Sequence, residues 1–536
     1  MPPFRSTIDP ASETFATQRE AMLALIAEVD ALENKVRARS ELARARFEER
    51  GQLLPRERLA RLFDRGSPIL SLTPLAGLGM HDDDGVENVL GGSVIAQIGF
   101  VNGTRVMAIA NDSAIKGGAT MPMGLKKYLR AQEIALANRL PVVLLVESAG
   151  ANLAYQAELF AEGGRRFYNM AKLSAAGIPQ VAIVHGSCTA GGAYLPGMSD
   201  YCIMVRGRAK VFLAGPPLLK AATGEIADDE ELGGADMHGM VAGTAEFLAD
   251  NDAEAIEIAR NVIGSLGWQE RPASQNWQEP LYSPDELAGV VPTDYRKRYD
   301  VREVVARLVD GSDFLEFKKD FGSQIFCGFA AIEGMQCGLI GNNGPIFPEA
   351  AVKAAQFIQL CSQARKSIIY LQNTTGFMVG RDAERAGIIK HGAKMIQAVS
   401  NAPVSSITLL IGGSFGAGNF GMCGRSYDPR FIFAWPNSRI SIMGAEQAAT
   451  VMEIVTEQKL ARKGRTPDPE RMAATRVAII QKVEAESTAL AATGRMWDDG
   501  IIDPRDSRRV LAFCLRTCHE AEARQLQPIT FGAARL

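Results

Sequence analysis

The chain contains no apolar run approaching the ~20 residues that a membrane-spanning helix requires, which excludes a bundle of membrane helices. Charge of one sign is also lacking: 58 basic against 61 acidic residues leave −3 at pH 7. Neither nucleic acid nor an anionic membrane is therefore favoured as a partner. The eight cysteines (Cys188, Cys202, Cys327, Cys337, Cys361, Cys423, Cys514, Cys518) include no CxxC pair. Cys514, Cys518 and His519 have no second ligand pair, so no metal site is expected, and the cysteines read as buried free thiols in a reducing compartment. The N-terminus MPPFRSTIDPASETF has neither a charged-then-apolar signal pattern nor an Arg-rich transit pattern, so the cytoplasm is the expected location. GxSxG, HExxH and GxxxxGK[ST] are missing. Histidine is scarce, with only His81, His185, His238, His391 and His519. His185 lies on an apolar strand and His391 in a helical stretch, and both read as structural. Asp82-Asp83-Asp84 reads as a solvated loop. Little acid–base apparatus is left.

Glycine, by contrast, is plentiful: 52 residues gather in short motifs, and the motifs occur twice. LLVESAGANLAYQAE around Leu145 is answered by IYLQNTTGFMVGRDAE around Leu371. VAIVHGSCTAGGAYLPGMSD from Val181 is answered by ITLLIGGSFGAGNFGMCGRS from Ile407. AIANDSAIKGG from Ala108 pairs with LIGNNGPIFPE from Leu339, and VRGRAKVFLAG from Val205 with AWPNSRISIMG from Ala434. RERLARLFDRGSPILSL near Arg56 pairs with VREVVARLVDGSDFLEF near Val301. The order is kept at offsets of roughly 225 to 245 residues, as whole-domain duplication requires. A period this long means two copies of one globular domain, not a solenoid. With 536 residues, 47% hydrophobic and 22% charged, each copy has the composition and length to bury its own core.

Residues 1–50 read as an N-terminal helical arm, since 14–50 are rich in Ala, Leu, Glu and Arg at helical spacing. The first copy is placed at 51–268. Residues 269–300, with four prolines and little periodicity, read as the linker. The second copy follows at 301–536 and ends in a helix over RRVLAFCLRTCHEAEARQLQP. In the first copy RVMAIAND, PVVLLVES and QVAIVHG are separated by LKKYLRAQEIALANR and GGRRFYNMAKLSAAG. In the second CGLIGNN, SIIYLQN and ITLLIGG are separated by AAVKAAQFIQLCSQA and GIIKHGAKMIQAVSNA. This alternation predicts an α/β fold of stacked βαβ units. Each strand ends in a small-residue turn that opens a helix, where backbone N–H groups are unpaired.

These turns fall in the same two places in each copy. Ser148-Ala149-Gly150-Ala151 matches Thr374-Thr375-Gly376-Phe377. Thr189-Ala190-Gly191-Gly192-Ala193 matches Phe415-Gly416-Ala417-Gly418-Asn419. Small residues at a helix N-terminus let a carbonyl oxygen approach two backbone N–H groups. That stabilises an oxyanion with no titrating side chain, and losing one such donor costs about 3 kcal/mol of transition-state energy. Tight helix–strand packing explains a lone AGGA; recurrence at equivalent places favours function. Two oxyanion turns with little acid–base apparatus fit enolate chemistry in which a cofactor handles the proton.

Over nearly its whole length the chain resembles the carboxyltransferase (beta) subunit of biotin-dependent acyl-CoA carboxylases. The stretches that carry the resemblance are IKGGATMPMGLKKYLRAQEIA, SCTAGGAYLPGMSD, FLAGPPLLKAATGE, ELGGADMH, QNTTGFMVGRDAE and IGGSFGAGNFGMCGR. The resemblance implies two tandem crotonase-like (ββα-spiral) carboxyltransferase domains behind the helical arm, rather than doubly wound sheets. It implies that the first copy binds acyl-CoA and the second binds carboxybiotin. The resemblance also implies that the carboxybiotin comes from a separate biotin-carboxylase/biotin-carrier alpha subunit; GAKM at Gly392 lacks the Met-Lys order of a biotinylation tetrapeptide, so this chain is expected to carry no biotin of its own. The active site would lie between the first domain of one subunit and the second domain of another, within a dimer-built hexamer (α6β6).

Carried over residue by residue, Gly191 and Gly192 would hold the thioester enolate, with Ala190, Ala149 and Gly150 shaping the acyl-CoA side. Ala417 and Gly418 would hold the ureido oxygen of biotin, beside Gly416, Gly376 and Phe377. Lys116, Gly117 and Gly118 lie in the acyl-CoA-side stretch, with Lys116 a candidate phosphate partner. The ureido nitrogen, once decarboxylated, would remove the substrate proton, which accounts for the missing protein base.

Propionyl- and acetyl-CoA enzymes of the family resemble DSGGARIQEG and a DVPGF turn. The corresponding ESAGANLAYQ and QNTTGFMVG here resemble the branch that carboxylates methylcrotonyl-CoA and geranyl-CoA at the γ-carbon. Methylcrotonyl enzymes have a longer, aromatic-containing stretch where this chain has ELFAEGGRRFYNM. The short stretch with Gly163 and Gly164 leaves room for a terpenoid tail, each buried CH2 favouring binding by ~0.8 kcal/mol. Geranyl-CoA is the expected substrate and methylcrotonyl-CoA the alternative. A glutaconyl-CoA decarboxylase-type carboxyltransferase is a further enzyme reading, and a duplicated scaffold the non-enzymatic one.

Overall fold

A computed structural model describes residues 4–81, 90–268 and 276–528, so Asp82-Asp83-Asp84 lies outside the described residues. The described chain falls into two compact units. One is drawn from Ala31–Ala273, Gly494–Met496 and His519–Leu536, the other from Met1–Asp30, Ser274–Thr493 and Trp497–Cys518.

The first unit is built on one sheet. Its strands are β1 (Leu70–Leu72), β2 (Val94–Val101), β3 (Thr104–Asn111), β4 (Val142–Ser148), β5 (Gln180–Thr189), β6 (Tyr201–Val205), β7 (Lys210–Phe212) and β8 (Phe247–Ala249). They lie in the order β1-β2-β3-β4-β5-β6-β8, with β7 pairing with the end of β5. β1 to β3 pair antiparallel, and β3 through β6 and β8 pair parallel. The central parallel strands are continuous apolar runs because helices cover the sheet. Val143, Leu145, Val181, Ile183 and Ile203 pack with Ala255, Ile256, Ala259 and Ile263 of the Asp252–Ser265 helix. The crossovers are the Pro122–Ala137 and Gln156–Ala175 helices.

The second unit repeats this plan with β9 (Phe314–Glu316), β10 (Ile325–Ile332), β11 (Met335–Asn342), β12 (Ser367–Thr374), β13 (Ser406–Phe415), β14 (Phe431–Ala434) and β15 (Arg439–Ser441). The order is β14-β13-β12-β11-β10-β9, and β15 pairs with the end of β13 as β7 does with β5. The crossovers are the Pro348–Gln363 and Ile388–Asn401 helices. Simple βαβ stacking therefore accounts only for the parallel part. Each unit also opens with an antiparallel hairpin, as the ββα-spiral expectation requires.

The duplication extends to single hydrogen bonds. Asp64 accepts from the N–H groups of Asn102 and Gly103 at the β2–β3 turn, both at 2.9 Å, and pairs with Arg260 at 2.8 Å. Asp310 accepts from Glu333 (2.9 Å) and Gly334 (2.7 Å) at the β10–β11 turn and pairs with Arg508 at 2.7 Å.

The arm is helical over Glu13–Glu41 and Arg44–Glu49, and the tail over Ser507–Ala523. Leu287–Val290 forms a buried helical turn. All the cysteines are free and buried. Among the described residues no helix is long and apolar enough to cross a membrane.

Candidate active site

β4 and β5 pair in register from Val142↔Gln180 to Val146↔Val184, then slip so that Ser148 faces Cys188. A slip of this kind bends strand ends and re-aims the segment beyond them. Ser148 Oγ donates to Gly118 O at 2.9 Å and accepts from Gly150 N at 3.2 Å. Ala149 N donates to Gly117 O (3.1 Å), and Thr120 N to Gly150 O (2.8 Å). Lys116-Gly117-Gly118 and Ala149-Gly150, distant in sequence, thus form one rim. Lys116, Gly117 and Gly118 all have positive φ, at 47°, 62° and 70°. A Cβ on Gly118 would overlap the carbonyl oxygen of Glu147, so only glycine permits this approach. The Lys116 side chain is exposed.

At the end of β5, Ala190–Ala193 makes one 3-10 turn that runs into a short helix. Ala190 and Gly191 are exposed and Gly192 is buried. Cys188 Sγ donates to Gly192 O at 2.9 Å, which fixes the orientation of that peptide. A Cβ on Gly150 would lie 3.8 Å from Thr189 Oγ1, so the rim and this turn are neighbours.

Gly163 and Gly164 lie inside the Gln156–Ala175 helix, and a Cβ on either would meet nothing within 4 Å. Phe167, one helical turn on, lies 3.7 Å from where a Cβ on Gly191 would be. The glycine pair therefore belongs to the helix that flanks the turn. A glycine in a helix interior costs about 1 kcal/mol relative to alanine, and no neighbour in the described chain demands one here.

The second unit has the equivalent slip, between Gln372 and Thr374. Gly376 N donates to Thr374 Oγ1 at 3.1 Å, and Ile346 N to Gly376 O at 2.9 Å. Gly416 and Gly376 have φ of 54° and 115°. A Cβ on Gly418 would lie 2.9 Å from both Gly376 Cα and Thr374 Cγ2. Ala417 is exposed and Gly418 buried. The Phe377 ring is wedged between helices, 3.1 Å from where Cβ atoms on Gly392 and Gly421 would be.

Behind this turn lies a polar network that sequence reasoning missed. Ser414 Oγ donates to Gln372 Oε1 at 2.6 Å, and Asn419 Nδ2 donates to Ser414 Oγ at 2.8 Å. Gln372 Nε2 donates to Met422 O at 2.7 Å. The available signal was a glutamine and a serine inside apolar strands, since buried polar side chains must find partners.

His185 is fully buried, with Nδ1 2.9 Å from Asp252 Oδ1, and Arg58 bridges Asp252 (3.0 Å) and Glu147 (2.6 Å). Burial holds this imidazole below its ordinary pKa. It is a core residue, as its strand position suggested.

A repeated ββα core, each copy closing on a glycine turn at the end of its central strand, defines a tandem crotonase-like protein. The carboxyl transferase domain model matches residues 46–530. The methylcrotonoyl-CoA carboxylase beta chain of Dictyostelium discoideum is 50% identical over 474 residues, covering 88% of this chain and 80% of that one. The 3-methylcrotonyl-coenzyme A carboxylase beta1 subunit of Mycobacterium tuberculosis is 48% identical over 515 residues, covering 94% and 96%. The crystal structure of the P. aeruginosa geranyl-CoA carboxylase beta subunit is 56% identical, covers 100% of both chains and superposes with a TM-score of 0.94. The chain belongs to the carboxyl transferase family, among the beta subunits of biotin-dependent acyl-CoA carboxylases.

Proposed function

We propose that this chain transfers CO2 from carboxybiotin to the γ-carbon of geranyl-CoA. The observation that carries the choice of substrate is the open space around Gly163 and Gly164, on the helix that flanks Gly191. In this reading the N–H groups of Gly191 and Gly192 hold the thioester oxygen as it gains charge. Gly118, Gly150, Ala149 and Ala190 bring backbone close to the thioester, and Lys116 and Gly117 at the rim face the CoA phosphates. On the biotin side, Gly416, Ala417 and Gly418 stand against Gly376 and Phe377, and none of these side chains is charged. Neutral backbone donors suit a neutral ureido carbonyl, so the residues present fit the group. Carboxybiotin supplies the CO2 and afterwards a ureido nitrogen that accepts the γ-proton.

The chain's partner in this reading is a biotin-carboxylase/biotin-carrier alpha subunit. Its acyl-CoA and biotin sides come together across a subunit boundary in an α6β6 hexamer, and the cytoplasm is the proposed location. The test is co-expression with the alpha subunit, followed by ATP- and bicarbonate-dependent carboxylation of geranyl-, methylcrotonyl- and propionyl-CoA. The expected order of kcat/KM puts geranyl-CoA first. Activity on propionyl-CoA alone overturns the reading. The second reading is methylcrotonyl-CoA, favoured by the 50% identity to the Dictyostelium chain; a higher kcat/KM for that thioester would establish it.

A further inference from the structure

We propose, on the basis of the carboxyltransferase reading, that Phe167 and Tyr194 form the apolar wall that seats the acyl chain beside the Gly191–Gly192 turn, and that this pair is specificity-determining. The two rings come from different elements. Phe167 lies in the Gln156–Ala175 helix, and Tyr194 opens the short Tyr194–Gly197 helix that follows the turn. Their centroids are 5.7 Å apart at 67°, an edge-to-face contact of the kind aromatic pairs favour. The edge of Phe167 reaches the turn itself. Its Cζ stands 3.7 Å from where a Cβ on Gly191 would be, and no other atom of the described residues beyond the chain neighbours comes within 4 Å there.

Neither ring belongs to the core. Phe167 is half-buried, and 47% of Tyr194 is exposed. Rings that serve packing are placed differently: Phe314–Phe326 and Phe329–Phe357 each include a fully buried ring. Ala190 and Gly191 are exposed beside the Phe167–Tyr194 pair. Apolar rings and a few convergent polar donors at one open spot are the make-up of a small-molecule site. The donors suit a thioester oxygen, and the rings suit the hydrocarbon attached to it.

The direction of the chain follows from helix geometry. Gly163 is four residues before Phe167, so the two share a face and are one turn, about 5.4 Å, apart along the axis. A Cβ on Gly163 would meet nothing within 4 Å. A hydrocarbon leaving Gly191 along this face therefore crosses the Phe167 ring first and open space next. Methylcrotonyl-CoA ends at the ring, whereas the additional prenyl unit of geranyl-CoA continues over it. Both thioesters use the wall, the longer one more fully, and CoA without an acyl chain does not touch it.

The test uses the holoenzyme with its biotin-carrying subunit and compares wild type, Phe167→Ala, Tyr194→Ala and Tyr194→Phe on geranyl- and methylcrotonyl-CoA, with free CoA as a competitive inhibitor. Each alanine variant is expected to lower kcat/KM about tenfold or more for geranyl-CoA and about threefold for methylcrotonyl-CoA, the scale on which apolar pocket contacts discriminate. Tyr194→Phe recovers most of the loss, because the wall uses the ring and not the hydroxyl. The inhibition constant of free CoA stays within twofold of wild type, which separates a lost wall from a misfolded site. A ring pair that only braced the helix against the turn would weaken free CoA and both thioesters alike. Unchanged kcat/KM in both alanine variants, equal losses on the two thioesters, or a matching loss of CoA binding overturns the proposal. A wild-type holoenzyme inactive on both thioesters overturns the parent reading, and this one with it; an active wild type with equally active alanine variants overturns this one alone.

Discussion

The two glycine turns are built on one plan and packed to different tightness. Around Gly416–Gly418 the backbone is closely hemmed in. A Cβ on Gly418 would stand 2.9 Å from two neighbours, and one on Gly424 would overlap Asn419 Oδ1. Behind it, Gln372, Ser414 and Asn419 lock together. Around Gly191–Gly192 the same positions have room, with nearest atoms 3.7 Å and 3.4 Å from the added Cβ. Behind that turn stands the Cys188 thiol, which donates to Gly192 O. A tightly packed site suits a ligand that is the same in every turnover and every relative. A slack one suits a ligand that varies, and under the proposed roles the first turn meets an acyl chain, which varies, and the second meets biotin, which does not.

The largest expected contrast comes from the turns themselves. Gly418→Val drives a side chain into Gly376 and Thr374 and is expected to lower the biotin half-reaction at least 100-fold, about 3 kcal/mol, with acyl-CoA binding retained. Gly192→Ala meets only Cys188 Sγ at 3.4 Å and is expected to cost less than tenfold on the order of magnitude set by one weakened donor. Isotope exchange for each half-reaction separates the two, and equal losses would erase the contrast. Next comes Gln372→Leu, which leaves Ser414 and Asn419 without their shared acceptor. Each buried group left unpaired costs about 1–3 kcal/mol, so a roughly 10- to 100-fold loss in the same half-reaction and a lower Tm are expected. Gly163→Phe sharpens the other side of the comparison: kcat/KM for geranyl-CoA falls about tenfold, within the range that pocket filling achieves, while methylcrotonyl-CoA is turned over as before.

The smallest effects are in pH dependence, where two buried groups, one from each unit, carry opposite signatures. In the second unit, burial pushes the Asp498 carboxyl up to about 7. The folded state then holds a proton that the unfolded state has released, so this residue's contribution to stability falls from about pH 4 to about 7 and is level above. In the first unit, burial pushes the Lys127 ammonium down to about 7. Here the unfolded state holds the extra proton, so stability rises from about pH 7 to about 10 and is level below. Asp498→Asn is expected to flatten the first limb and Lys127→Met the second, as read by denaturant midpoints across pH. Unchanged profiles would show that neither group is held as its burial implies.

Much of this architecture could be read from residue order alone. PVVLLVES, QVAIVHG, SIIYLQN and ITLLIGG are strands where their apolar runs placed them, because parallel strands buried on both faces leave little else to read. The four small-residue turns come after strand ends as expected. The hairpins at the head of each sheet carry a local signal that sequence reasoning missed: Asn102-Gly103 and Glu333-Gly334, all at positive φ, close two-residue turns, and Asn-Gly between apolar runs favours a hairpin. The helix around Gly163 and Gly164 begins at Gln156, hidden by two residues of low helix propensity.

The glycine pair has a consequence on a longer timescale. A Cβ added at Gly163 or Gly164 meets no atom within 4 Å among the described residues, and almost any residue improves the helix over glycine. Selection can therefore change the residue size at these two positions without first finding a compensating change elsewhere. The flanking helix is an adjustable boundary, and substrate range in such a lineage can drift by single mutations while the neighbouring turn stays as it is.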